Sequence, residues 1–208
     1  LCLLLVSHTA GQEVVLLNNG KSMPLFGLGV GNLPHDKIVS TIIDVASQDI
    51  RLVDTAHASH NEQLVRQGID ERHTANDEVH VVTKVWYTYL GYERTIISVR
   101  ESLENLSSSS SNIRVHMLLH WPYCRDDIPW MECEKEEANL PQYVKNAGPP
   151  PHLDKQNGWK ESWRALEDIY TGHVNLGDDN LPILESIGVS NFDLAEMTEL
   201  VQLARVPP

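Results

Sequence analysis

Four times along this chain a short, almost wholly apolar run is followed by a stretch with apolar residues at helical spacing. That alternation constrains the fold more than any other feature. The pairs are "RLVDTA" with "NEQLVRQGIDER", "EVHVVTKVW" with "YERTIISVRESLENL", "IRVHMLLHWP" with "WKESWRALEDIY", and "PILESIGVS" with "NFDLAEMTELVQLA". An earlier helix is expected over "KIVSTIIDVASQ". Strands that are apolar almost throughout must be covered on both faces, which predicts a parallel sheet wrapped by helices in an α/β fold. Helical stripes supply the cover: Ile96, Val99, Leu103 and Leu106 on one helix, Trp159, Trp163, Leu166 and Ile169 on another. Residues 122–158, with "AGPPP", and "TGHVNLGDDNLP" interrupt the rhythm and read as surface insertions, the first as a long loop. The five serines at 107–111 read as a flexible connector.

Polar residues recur at one place in these units. Asp54 ends one strand, Lys84 the next, His120 the one after, and Ser190-Asn191 the last. Each alone has an ordinary explanation. Asp54 could cap a turn, Lys84 could be a surface charge, His120 a satisfied core histidine, and Ser190-Asn191 the N-cap of the last helix. Those explanations do not predict the repeated placement. The C-terminal ends of parallel strands converge on the mouth where α/β active sites are built, and that does predict it.

The start of the chain reads differently. "LCLLLVSHTAGQE" has an apolar run followed by small residues, Thr9 and Gly11, so residues 1–11 are expected to be the remnant of a secretory leader and 12–208 the domain. An N-terminal strand is the alternative. A leader would place the protein in the secretory pathway or outside the cell, where Cys124 and Cys133 could pair; without one it would be cytoplasmic, and two unpaired thiols are the other possibility. Asn105-Leu106-Ser107 is a glycosylation sequon, a weak pointer the same way. "EVVLLNNGKSMPLFG" has two apolar runs about Asn-Gly, a hairpin signal. No apolar run reaches the ~18 residues of a membrane span. With 29 acids against 16 bases and a net charge of -13, composition argues against nucleic acid or an anionic membrane as partner, since both need a basic face.

Taken together, "LNNGKSMPLFGLGVG", "VDTAHASHNE", "VVTKVW", "LLHWP" and "IGVSNF" resemble the aldo-keto reductases, in that family's order and spacing over residues 14–208. The resemblance implies a (β/α)8 TIM barrel closed below by an N-terminal β-hairpin. It also implies metal-free hydride transfer from NADPH or NADH, with NADP favoured by the family alone, to a small-molecule carbonyl. Asp54, Lys84 and His120 match three members of the family's Asp-Tyr-Lys-His tetrad. Ser190 and Asn191, with Gly29, Val30 and Asp54, match positions at the nicotinamide, and Trp86 and Trp121 are expected to line the substrate mouth. The chain stops before the family's sixth strand, so truncation after the fifth βα unit is expected.

One tetrad member does not match. The family writes Asp-x-Ala-x-x-Tyr-x-Asn-Glu, and the fifth residue after Asp54 is Ser59. Hydride arriving at a carbonyl carbon creates an alkoxide that must be protonated as it forms. A phenol, with pKa near ~10, can be tuned down by an ammonium, whereas a serine hydroxyl is a far weaker acid and reaches less far. Positioned acid–base catalysis is worth ~10²–10⁴ in rate. The substitutes on offer are His120, directly or through a water beside Ser59, His57 and His60, and Tyr87 or Tyr89. A Trp often found in the family is replaced by Gly31. Two other functions are carried as alternatives: a non-catalytic cofactor-binding barrel acting as sensor or scaffold, and a metal-dependent hydrolase. The second has only the His57/His60 pair behind it and no third ligand of recognisable spacing. Gly27, Gly29 and Gly31 do not form G-x-G-x-x-G, which removes a Rossmann reading.

Overall fold

A computed structural model describes residues 6–7, 13–72, 78–109, 112–178 and 180–208. Apart from Val6–Ser7, the expected leader lies outside the described residues. Strands β1 (Val6–Ser7), β2 (Val14–Leu16) and β3 (Ser22–Pro24) form an antiparallel three-stranded sheet. The predicted hairpin is β2–β3, with Val15 opposite Met23, and β1 adds to it with Val6 opposite Val15.

A second sheet takes β4 (Leu28–Gly29), β5 (Leu52–Asp54), β6 (Glu78–Val85), β7 (Asn112–Leu119) and β8 (Ile183–Val189) in the order β4-β5-β6-β7-β8. The pairings β4–β5 and β5–β6 are parallel, with Gly29 opposite Asp54 and Asp54 opposite Val82. Helices α1 (His35–Ala46), α2 (Glu62–Glu71), α3 (Tyr92–Asn105), α6 (Gly158–Tyr170) and α7 (Leu194–Leu203) fall where the stripes place them. A doubly wound sheet reverses its strand order at a switch point. Here the order is strictly sequential, the winding seen in (β/α) barrels.

Packing divides the chain into two compact units, residues 1–83, 102–116 and 179–186, and residues 84–101, 117–178 and 187–208. In the first, α1 packs on α2 through Ile38, Ile42, Val65 and Ile69, all buried. Gly68 permits the approach, since a Cβ there would lie 2.9 Å from Ile42 Cβ. Any side chain at 68 forces the helices apart. Asn105, the sequon residue, ends α3 with its Nδ2 donating to Glu62 Oε2 at 3.2 Å and its Oδ1 accepting from Gln63 at 3.0 Å. The nitrogen that glycosylation would use is thus engaged by Glu62.

In the second unit α6 buries Trp159, Trp163, Leu166 and Ile169, the face its stripe predicts. Fully buried Trp163 donates its indole N–H to Glu167, which also accepts from the backbone N–H of Arg205 and Val206. Truncating such a tryptophan typically costs about 3–5 kcal/mol. One expectation is corrected, and two points left open are decided. Residues 122–158 are not a plain loop but carry α4 (Cys133–Asn139) and α5 (Gln142–Asn146), and Cys124 is disulfide-bonded to Cys133 with Cα atoms 6.0 Å apart. Nor do Ser190-Asn191 cap α7: Asp193 does, in a reciprocal capping box with Glu196.

Candidate active site

In the first unit the site begins where β5 runs out. Asp54 is its last residue, half-buried, and its carbonyl accepts from Val30 N–H at 2.9 Å. The chain then turns through His57–Ser59, and His60 takes a left-handed conformation at φ 49°. Asn61 fixes that turn instead of capping α2. Its Oδ1 accepts from the Thr55 hydroxyl, and its Nδ2 donates to the Val30 carbonyl at 3.2 Å. These bonds tie the end of β5 to Val30, the residue that follows β4. Gly29 faces open space, with no heavy atom within 4 Å of where a Cβ would stand. Ser59 is half-buried, and its Oγ lies 3.4 Å from the corresponding point on Gly31. The wall beside Ser59 is therefore a bare α-carbon.

His57 and His60 have turned toward another feature. Their rings are 6.3 Å apart, and with Glu62, Gln63 and Asn105 they line a cleft of about 220 Å³. Among the described residues no three His, Cys, Asp or Glu side chains gather as metal ligands.

In the second unit Lys84 is buried near the end of β6, and Trp86 follows it. His120 lies just beyond β7, fixed by its N–H to Val85 O at 3.0 Å. Its ring is 5.0 Å from Trp86 and 6.5 Å from Trp121. Burial, and secondarily the Lys84 ammonium, push its pKa down to about 4. His120 is therefore neutral at ordinary pH and presents a single ring N–H. Its Nδ1 is buried without a hydrogen-bond partner.

Ser190 and Asn191 follow β8, with Ser190 N–H donating to Leu119 O at 2.8 Å. Asn191 sits at φ 58° and its Nδ2 donates to His120 O at 2.8 Å and Ser190 Oγ at 3.0 Å. That leaves the Ser190 hydroxyl proton as a donor beside the Asn191 Oδ1 acceptor. A primary carboxamide, with a carbonyl acceptor beside an NH2 donor group, is complementary to that pair.

Three of the suggested replacement acids, His120, Tyr87 and Tyr89, fare poorly. Neutral His120 has no imidazolium proton to give. The Tyr87 hydroxyl donates to Glu136 Oε1, and burial with that carboxylate raises its pKa well above a phenol's usual value. Burial, then the charge of Glu101, raises Tyr89 as well. Sequence reasoning overlooked Trp130, whose ring lies 6.2 Å from that of Trp86 and 5.9 Å from that of Trp121, and Glu136, which accepts from Trp86 Nε1 at 2.7 Å. Both lie within the segment read as a loop, where nothing local marks them.

The family model described as Aldo/keto reductase family matches residues 23–208. The chain is 28% identical over 201 residues to glyoxal reductase of Bacillus subtilis, covering 96% of this chain and 57% of that protein. It is 28% identical over 203 residues to the NAD(P)H-dependent D-xylose reductase of Kluyveromyces lactis, covering 94% and 56%. The crystal structure of an aldo/keto reductase from Brucella melitensis superposes with a TM-score of 0.66 at 26% identity, covering 94% of this chain and 60% of that one. The chain thus spans less than two thirds of the length of each.

Proposed function

The chain belongs to the aldo/keto reductase family, and from that premise we propose that the complete protein is an NAD(P)H-dependent oxidoreductase for an aldehyde or ketone, weakened where Ser59 takes the tyrosine position. The observation that carries the reading is the donor–acceptor pair of Ser190 and Asn191 following the strand next to that of neutral His120. When bound, a reduced nicotinamide supplies hydride to the carbonyl carbon. Ser190 and Asn191 hold its carboxamide. His120 orients the carbonyl oxygen through its ring N–H, and Trp86 and Trp121 exclude water. The Lys84 ammonium is the charge that would lower the pKa of a phenol. NADP is the favoured nucleotide on family grounds, and a relative's name carries NAD(P)H. In the complete protein the five sequential strands are the first five of a (β/α)8 barrel; the support is strand order and the share of the relatives covered. The disulfide supports folding in an oxidising compartment, as an exported protein would.

Titration of the full-length protein with NADPH and NADH, followed by tryptophan fluorescence, tests the cofactor. Saturable quenching by at least one is expected, and by neither would overturn the reading. The sensor or scaffold reading keeps one specific support: Ser59, neutral His120 and Glu136-bound Tyr87 supply no tuned acid. Binding of cofactor with no reduction of any aldehyde would favour it.

A further inference from the structure

We propose that Asn105 carries an N-linked glycan whose first N-acetylglucosamine lies in the cleft of His57, His60, Glu62 and Gln63, a proposal that rests on the export reading above. The sequon Asn105-Leu106-Ser107 runs from the last residue of α3 into the serine connector. Asn105 is half-buried and lines that cleft. Its amide nitrogen has two hydrogens. One goes to Glu62 Oε2 at 3.2 Å, and the other has no acceptor among the described residues. Linkage to a sugar replaces one N–H and keeps one. The modified side chain therefore retains its bond to Glu62, and its Oδ1 still accepts from Gln63 at 3.0 Å. Buried Glu62 is fixed independently, its Oε1 accepting from the Thr83 hydroxyl at 2.6 Å.

The cleft suits a single sugar. At about 220 Å³ it is smaller than the roughly 300–1,000 Å³ of a pocket for a drug-sized ligand. Its lining side chains are all polar. Gln63 keeps an amide oxygen as acceptor, and a neutral imidazole has one donor and one acceptor nitrogen. Sugar hydroxyls and an acetamido group take such partners, whereas an apolar ligand would leave them unpaired. The transfer precedes docking of the end of α3, because in the folded chain Leu106 is fully buried and the Ser107 hydroxyl donates to Asn180 O at 3.2 Å. It forms a bond between Asn105 Nδ2 and C1 of the sugar. The bond from C1 to the pyrophosphate of a lipid-linked oligosaccharide breaks, and the displaced amide proton leaves with the pyrophosphate.

The test separates the site from export. The full-length protein is produced in a eukaryotic cell in two forms, one with its own N-terminal segment and one behind an added cleavable leader. Both are expected to be secreted and to gain gel mobility on treatment with peptide N-glycosidase, and mass spectrometry should place the glycan on Asn105. Ser107→Ala, which leaves the Asn105 contacts in place, and Asn105→Gln should each abolish the mobility shift. Endoglycosidase trimming then leaves one sugar, whose acetyl methyl should show nuclear Overhauser contacts to ring protons of His57 or His60. A secreted, disulfide-bonded chain without a glycan on Asn105 would overturn the proposal and leave export standing. A glycan lacking those ring contacts would overturn its placement in the cleft. A glycan found only behind the added leader would instead sink the export reading and leave the site standing.

Discussion

His80 and His116 face each other nitrogen to nitrogen, Nδ1 to Nε2, at 2.9 Å. His116 Nδ1 is 2.7 Å from Ser186 Oγ, and His80 Nε2 is 3.2 Å from Glu78 Oε1. Burial works to raise the Glu78 pKa, but the hydrogen bond and charge of Arg114 outweigh it, and the carboxyl is held ionised and acceptor-only. That fixes the protons: His80 donates to Glu78, His116 donates to His80, and Ser186 donates to His116. Two neutral imidazoles satisfy the chain completely, and a proton on each would set N–H against N–H.

Acid stability should follow from that pair. Burial, then the neighbouring His80 charge, push the His116 pKa down to about 4, and burial lowers that of His80 against the pull of Glu78 and Glu185. In the unfolded chain both titrate near 6.5. Their folded values are depressed, so their contribution is complete above pH 6.5 and is lost as pH falls toward 4. For His116 the shift corresponds to roughly 3 kcal/mol. Chemical denaturation at pH 7.5 and 5 should therefore show a steeper loss in the native protein than in a His80→Gln, His116→Gln double variant. Equal losses would remove the pair as the cause.

Arg94 and Glu137 form a buried ion pair, with two contacts at 2.8 and 2.9 Å, and Arg94 also donates to Thr88 O and Gly148 O. Removing one partner strands the other charge away from water. Glu137→Ala should cost about 3–5 kcal/mol, and Glu137→Gln less, because an acceptor oxygen remains. Urea unfolding of both variants decides it; a cost under 1 kcal/mol for the alanine would show that water reaches Arg94.

Cys124 and Cys133 are 9 positions apart, so their bond closes a short loop. Constraining a loop of that size in the unfolded chain is worth about 2–3 kcal/mol. Reduction should lower the urea midpoint accordingly and speed proteolysis between the cysteines. An unchanged midpoint under reductant would mean that α4 holds the loop without the bridge.

What the sequence made legible depended on how local the signal was. Apolar runs bounded by turn residues placed β5 to β8, and stripes placed α3 and α6, because both follow from burial of one segment. Helix α4, "CEKEEAN", has no apolar stripe; it is held by distant partners, Glu136 by Trp86 and Tyr87, Glu137 by Arg94, and those cannot be read from spacing. The histidine chain was half visible. In "EVHVVTKV" the residues Glu78, His80, Val82 and Lys84 alternate onto one face of β6, as Arg114, His116, Leu118 and His120 do across and just beyond β7. Reading the runs as uniformly apolar hid that face, and only the register brings His80 to His116. The strand-end residues Asp54, Lys84, His120 and Ser190 were legible because their position repeats.

The last prediction concerns Ser59. The family's motif has tyrosine here, and none of His120, Tyr87 and Tyr89 is a tuned acid in this chain, so carbonyl reduction by the full-length protein should be slow. Ser59→Tyr should raise turnover by about 10²-fold, the lower end of what positioned acid–base catalysis contributes. Room for the ring is suggested by Gly31, whose missing Cβ would have stood 3.4 Å from Ser59 Oγ. The comparison uses one aldehyde, one nucleotide and equal folded fractions, with Ser59→Phe reporting the effect of the ring without its hydroxyl. A gain shared by tyrosine and phenylalanine would trace to packing and not to an acid. Brisk turnover in the native protein with no gain from tyrosine would mean that another group already delivers the proton, and His57 and His60 would be replaced in turn to find it.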